Sequence, residues 1–146
     1  MTPELRRLAD EHAIVAVAVR YCWALDTRDW ELLRDVFLPD ATADLATRNE
    51  LEGVDAIAAR CRAALEPLDA SQHFVSTHQV DVDGDAATHR CHLHAQHTRR
   101  GVEGGENYMV GGRYVDRFVR TPAGWRIANR QLVIMWTEGN PEAMRR

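Results

Sequence analysis

Residues 70–97, ASQHFVSTHQVDVDGDAATHRCHLHAQH, have the clearest strand pattern in the sequence. The stretch alternates with a period of two around the turn signal DGD, which predicts strands at about 72–82 and 86–99 joined as a hairpin. Two further strands are predicted at about 106–120 and 124–137, with the turn signal TPAG between them. The second half of the chain is therefore expected to be an antiparallel meander.

The first half of the chain has helical patterns. A long helix is predicted from Pro3 to about Thr27, because Thr2 can cap it and proline suits a first turn. A second helix is predicted for WELLRDVF at 30–37 and a third for GVDAIAARCRAAL at 53–65, with a short strand at 41–47. The expected fold is α+β: a curved, mainly antiparallel sheet wrapped around three N-terminal helices and enclosing a pocket.

The length, composition and net charge of the chain limit the classes of protein to which it can belong. The length and the 45% hydrophobic content predict one domain over 1–146, and a net charge of −4 argues against nucleic acid as a partner. The three cysteines include no CxxC pair and suit a reducing cytoplasm. No secretory signal is evident and the apolar run at 13–19 is too short to span a bilayer, so we expect a soluble cytoplasmic protein with no membrane partner.

Histidines are concentrated on the strand ATHRCHLHAQH at 87–97. Alternation places His97 on the apolar face with Cys91 and Leu93, and it places His92 and His94 on the opposite face. His97 is therefore a pocket candidate. The HxH pair lacks an evident third ligand on its face, so no metal site is predicted.

The last strand carries one charge in an apolar row. Arg130 shares strand parity with Ala128, Leu132, Ile134 and Trp136, and a buried charge must be paired or must serve a ligand. One interpretation is that Arg130 and Trp136 face a pocket. The other is that the row is an oligomer interface with Arg130 at its rim.

Three further residues have alternative interpretations. Asp26 ends the apolar stripe of the first helix, where it can lie at the edge of the core or simply cap the following turn. His73 and His78 point to opposite faces of their strand unless a bulge intervenes. The parity of His78 with Val80 and Val82 favours His78 as the inward residue.

Three segments, YCWALDTRDWELLRDVF, SQHFVSTHQVDVDGDAA and GGRYVDRFVRTPAGWRI, together resemble the SnoaL-like branch of the nuclear transport factor 2-like superfamily. Within that branch the chain resembles scytalone dehydratase, bile-acid 7-alpha dehydratase and hexachlorocyclohexane dehydrochlorinase. The resemblance implies a cone-shaped pocket, a His–Asp dyad, elimination without a metal or organic cofactor, and trimers or dimers formed through the outer sheet face.

Carried over residue by residue, the resemblance implies that Asp26 and His73 are the catalytic pair. It further implies that Arg130 faces the pocket and that Tyr21 and His97 contact substrate. Leu25 departs from the pattern, because scytalone dehydratase has a tyrosine there.

The expected function is cofactor-independent dehydratase-type lyase activity on a medium-sized cyclic small molecule, such as one from secondary metabolism. His73 is the expected base and Asp26 its orienter, while Arg130, Tyr21 or Tyr114 stabilises developing negative charge and Trp136 can close the pocket. The alternatives are an isomerase or polyketide cyclase using the same base, and a non-catalytic domain that binds a hydrophobic ligand or another subunit.

Overall fold

The computed structural model describes residues 1–145. Two α-helices, α1 (Pro3–Asp26) and α2 (Val54–Leu65), precede most of the sheet. Short 3-10 helices occupy Glu31–Asp35 and Pro141–Met144. The strands are β1 (Phe37–Asp44), β2 (Leu51–Glu52), β3 (Ala70–Asp83), β4 (Ala86–Thr98), β5 (Asn107–Thr121) and β6 (Gly124–Gly139). Neither α-helix of the described chain is long and apolar enough to cross a membrane.

The predicted second helix is wrong in type and length. Its central residues form only the five-residue 3-10 helix, and Phe37 already belongs to β1. Val36 and Phe37 are fully buried, and Phe37 pairs with Ile127 of β6. Burial against the sheet therefore outweighs the helical pattern of this segment. The structure has two α-helices where the sequence predicted three.

The six strands form one mixed sheet in the order β2-β1-β6-β5-β4-β3. Neighbouring strands are antiparallel except for β1 and β6, which run parallel. Helix α1 contacts β3, which is an edge strand of the sheet, and also β6, while α2 contacts β1. The sheet therefore curves over the helices, and its inner face and the helices together form the hydrophobic core.

Three bulges change which side chains face inward. In β3, Thr77 and His78 together oppose Cys91, and Thr77 has a φ of 57°. In β6, Ala128 and Met135 have no partner on β5. Because side chains alternate along a strand, each extra residue reverses the facing of the residues beyond it.

Candidate active site

A cavity of about 240 Å³ lies between the helices and the inner sheet face. Apolar side chains form most of its wall, including Leu25, Leu93 and Val110. The polar residues that line it are Tyr21, Arg60, Cys61, His73, His97, Tyr108 and Tyr114. A mostly apolar cavity with few polar groups is typical of small-molecule sites.

Asp26 and His73 are hydrogen-bonded to each other beside this cavity. The His73 ring atom Nδ1 lies 2.6 Å from Asp26 Oδ1, and the His73 backbone N–H donates to Oδ2 at 2.8 Å. Burial raises the pKa of Asp26, but the hydrogen bonds from His73 and Ser71 outweigh it and hold the pKa below its usual value. A carboxylate only accepts, so Nδ1 carries the proton and Nε2 has the free lone pair.

The end of α1 positions Asp26. The N–H of Asp29 donates to Ala24 O and that of Arg28 to Leu25 O, so the helix ends in a Schellman motif with Arg28 at the left-handed position, φ 60°. Glycine is usual there, and a non-glycine residue in that conformation is strained. Asp26 is therefore the last helical residue.

Ser71 connects this helix end to the carboxylate. Arg28 Nη1 donates to Leu25 O at 2.6 Å and to Ser71 Oγ at 2.7 Å, and the Ser71 hydroxyl donates to Asp26 Oδ1 at 3.0 Å. Asp26 thus accepts three hydrogen bonds. It lies behind His73, in a groove outside the cavity, and only the imidazole reaches the cavity wall.

His97 is the second imidazole of the cavity. Its ring meets the His73 ring edge to face, with centroids 5.8 Å apart. His97 Nδ1 donates to the Tyr108 carbonyl at 3.0 Å, which leaves Nε2 as an acceptor. Burial lowers the pKa of His97 to about 4, so the ring is neutral at neutral pH.

Arg130 lies behind the cavity wall and is fully buried. It forms two hydrogen bonds to Asp116, Nε to Oδ1 at 2.8 Å and Nη2 to Oδ2 at 2.9 Å. Its guanidinium carbon lies 4.5 Å from the ring centre of Tyr21 and 3.9 Å from that of Tyr114. Within residues 1–145, Arg130 Nη1 is a buried donor without a hydrogen-bond partner. Arg130 is not among the residues that line the cavity, so its predicted position facing the pocket is wrong, and its charge is paired with Asp116 instead.

Tyr21 and Tyr114 stay protonated, because burial raises the pKa of both hydroxyls well above the ordinary value of 10. Both rings line the cavity. Tyr21 and Asp26 leave α1 in different directions, so the tyrosine reaches the cavity while the carboxylate meets His73 from outside it.

Trp136 does not lie where strand alternation predicted. The bulge at Met135 turns it to the outer face, where it pairs with Gly111 and packs edge to face on His94, with ring centroids 4.9 Å apart. A Cβ added at Gly111 would lie 2.0 Å from the indole, so glycine permits this close contact. Ala128 was expected to share a face with Arg130, but it is a bulge residue of β6, so the predicted alternation is interrupted there. Leu132 and Ile134 do line the cavity.

Several residues around these sites were not predicted from the sequence. Ser71 and Arg28 are two of them, although Ser71 shares strand parity with His73. Asp116 has the parity of Tyr114 and Phe118, and all three are buried. Because its neighbours on that face are apolar, the Asp116 carboxylate could have been recognised from the sequence as a partner for Arg130.

An α+β fold with one curved mixed sheet over a mostly apolar cavity that holds a few polar residues defines the general class of protein. The chain belongs to the SnoaL-like family, within the nuclear transport factor 2-like superfamily, because the SnoaL-like domain model matches residues 6–131. It is also 32% identical over 127 residues to the uncharacterized protein Rv2910c of Mycobacterium tuberculosis, a match that covers 84% of each chain.

Solved structures share the whole fold. Kfla4162 from Kribbella flavida superimposes with a TM-score of 0.89 at 26% identity, covering 96% of this chain and 99% of that one. A candidate scytalone dehydratase from Novosphingobium aromaticivorans gives 0.82 at 24% identity, over 92% and 89% of the chains. The hexachlorocyclohexane dehydrochlorinase LinA-type3 from Novosphingobium barchaimii gives 0.82 at 15% identity, over 94% of each. The expected cone-shaped α+β fold is thereby confirmed.

Proposed function

We propose that this protein is a cofactor-independent lyase that eliminates water or a similar leaving group from a medium-sized cyclic small molecule, with His73 as general base. The observation that carries the proposal is the 2.6 Å contact between His73 Nδ1 and Asp26 Oδ1 at the wall of the cavity. An ionised Asp26 fixes the ring tautomer and stabilises the imidazolium that forms on proton transfer.

The second ring nitrogen of His73 is free to accept a proton from the substrate. His73 Nε2 has no hydrogen-bond partner among the described residues, and the ring lines the cavity. Nε2 takes the proton next to a carbonyl or an activated ring carbon, and the C–H electrons form a double bond as hydroxide leaves the β carbon. The imidazolium then returns a proton to the hydroxide, which departs as water. Positioned acid–base catalysis of this kind contributes on the order of 10² to 10⁴ in rate.

Two tyrosines that line the cavity can donate hydrogen bonds to negative charge that develops on the substrate. The hydroxyls of Tyr21 and Tyr114 are protonated, and the Arg130 guanidinium makes a cation–π contact with both rings. Preorganised donors in a water-poor site stabilise an enolate-like transition state. In the proposed complex, the neutral His97 accepts a hydrogen bond from a substrate hydroxyl through Nε2.

The size of the cavity limits the substrate. A volume of about 240 Å³ lies below the roughly 300–1,000 Å³ of pockets for drug-sized ligands. A compound of one or two rings fits such a volume. The dehydratase and dehydrochlorinase names of two fold neighbours agree with elimination from a ring.

Three cyclic probe classes test the reaction type: a β-hydroxyketone for dehydration, a polychlorinated cyclohexane for dehydrochlorination and a β,γ-enone for isomerisation. Product formation is followed by mass spectrometry in the wild type, His73→Gln, Asp26→Asn and the control His92→Gln, which changes an exposed histidine.

We expect elimination by the wild type and His92→Gln, with a loss of at least about 10²-fold in the other two variants. Turnover of the enone alone would identify an isomerase. Elimination that survives His73→Gln would overturn the assigned base, and binding of these probes without any turnover would favour a ligand-binding domain.

A further inference from the structure

His78, His89 and Cys91 bring three potential metal ligands together on β3 and β4. The His78 and His89 ring nitrogens and Cys91 Sγ all lie within 4.8 Å of one another. His89 and Cys91 are buried and His78 is half-buried. We propose that these three residues form a binding site for a transition metal ion of the Zn²⁺ class. The proposal stands apart from the lyase function, since it uses neither Asp26 nor His73.

The bulge in β3 creates the site. His89 and Cys91 are alternate residues of β4 and share its inner face, while His78 reaches them from the neighbouring strand. Thr77 takes the extra position, with its positive φ, and this lets His78 face inward although His73 also does. Bulges are often found where a side chain must be re-aimed for function.

A carboxylate holds His89 in the orientation that a metal ligand needs. His89 Nδ1 donates to Asp116 Oδ2 at 2.8 Å, and both Asp116 oxygens are fixed by Arg130. The lone pair of His89 therefore lies on Nε2, where it accepts the N–H of His78 Nδ1 at 2.9 Å. Metal-binding histidines almost always donate their second ring N–H to such a partner.

A metal ion can take the place of the proton between the two imidazoles when that proton leaves His78 Nδ1 to solvent and His78 Nε2 takes up a proton from solvent, so that the ring stays neutral. Two nitrogens bound to one tetrahedral Zn²⁺ lie about 3.3 Å apart, which follows from Zn–N bonds of about 2.05 Å. The observed 2.9 Å between His78 Nδ1 and His89 Nε2 requires only a small separation of the rings. The thiol of Cys91 supplies the third bond as a thiolate, and its proton is released on binding.

The donor set defines the kind of ion. Two imidazoles and a thiolate suit Zn²⁺ and Co²⁺, whereas Mg²⁺ and Ca²⁺ require oxygen ligands. The cluster supplies three ligands, so a water molecule or a small ligand completes a tetrahedral site. A groove whose wall includes Thr77, His78 and Cys91 gives the ion a path from the outer surface.

The test is a Co²⁺ titration of the full chain after treatment with a chelator. Absorption spectra report thiolate-to-cobalt charge transfer and tetrahedral coordination in the wild type, Cys91→Ser and His78→Gln. Two control variants change residues outside the cluster and its groove: Cys22→Ser, another buried thiol, and His12→Gln, an exposed histidine of α1. Circular dichroism confirms that each variant is folded.

We expect one Co²⁺ per chain with a thiolate band that Zn²⁺ displaces. The band is lost in Cys91→Ser, affinity falls at least tenfold in His78→Gln, and both controls behave as the wild type. If Cys91→Ser does not fold, His78→Gln decides, because its half-buried side chain lies on an edge strand. Absence of a thiolate band in the wild type, or unchanged affinity in His78→Gln, would overturn the proposal.

Discussion

Asp26 binds His73 through two separate donors of the same residue, the ring Nδ1 at 2.6 Å and the backbone N–H at 2.8 Å. The backbone bond fixes the carboxylate relative to β3, and the ring bond then fixes the imidazole relative to the carboxylate. The geometry of the pair therefore depends on the end of α1 and on the strand, rather than on side-chain packing alone. This relationship is the basis of the proposed elimination.

Ser71→Ala should weaken the pair without removing either member. The variant deletes one of the hydrogen bonds to Asp26 and leaves Arg28 Nη1 with Leu25 O as its acceptor. We expect the pKa of Asp26 to rise toward its ordinary value of 3.8, and turnover by the proposed lyase to fall about fivefold, as for one lost hydrogen bond of about 1 kcal/mol. Carboxyl-carbon NMR follows the titration, with Ser76→Ala as the exposed control on the same strand. An unchanged titration would show that Ser71 does not support the carboxylate.

His97 makes stability depend on pH in a defined window. Burial lowers its pKa from 6.5 to about 4 in the folded state. As the pH falls, His97 is therefore protonated in the unfolded chain before it is protonated in the folded one. The contribution of the neutral ring to the free energy of unfolding is complete above about pH 6.5 and is lost progressively down to about pH 4. The expected slope approaches roughly 1.4 kcal/mol per pH unit within that window.

Urea unfolding at a series of pH values measures this slope. His97→Gln should reduce the slope between pH 6.5 and 4, leaving the part due to His78, whose pKa burial also lowers, whereas His92→Gln should retain the full slope. The depressed pKa of Asp26 acts in another window, because its contribution is lost only as the pH falls below about 3.8. An equal slope in the wild type and His97→Gln would contradict the buried neutral imidazole.

Arg130→Met should be strongly destabilising. The variant leaves the buried Asp116 carboxylate without its cation, at a cost of about 3–5 kcal/mol in the free energy of unfolding. Adding Asp116→Asn should recover part of that loss by removing the uncompensated charge. Arg120→Met is the control, because Arg120 is 35% exposed and Asp10 keeps a hydrogen bond from Trp125 Nε1, so its loss should be smaller. Equal losses in the two arginine variants, measured by urea unfolding, would contradict the buried pair.

Much of the fold could be predicted because the signals are local. Strand alternation and two turn signals located β3 to β6, and helix spacing located α1 and α2. The burial of alternate residues His89 to His97 and the exposure of His92 and His94 also agree with the pattern. The segment around Phe37 could not be predicted, since pairing with the distant β6 decides its conformation.

The candidate site was harder to predict from the sequence, because β-bulges interrupt the alternation of side chains along a strand. The extra residue Thr77 lets both His73 and His78 face inward, whereas the pattern allowed only one. Met135 moved Trp136 to the outer face for the same reason. A bulge depends on local strain and cross-strand packing, so a single-sequence pattern that assumes strict alternation misplaces every residue after it.

The most direct test of the account is the tautomer of His73, read by nitrogen-15 NMR at alkaline pH, where imidazoles are neutral. The expected result is the Nδ1–H form in the wild type and a loss of that preference in Asp26→Asn. His97, which Tyr108 holds through its backbone carbonyl, should keep its own Nδ1–H form in both proteins and serves as the internal control. An Nε2–H form of His73 in the wild type, or a tautomer mixture that Asp26→Asn leaves unchanged, would contradict a base oriented by Asp26.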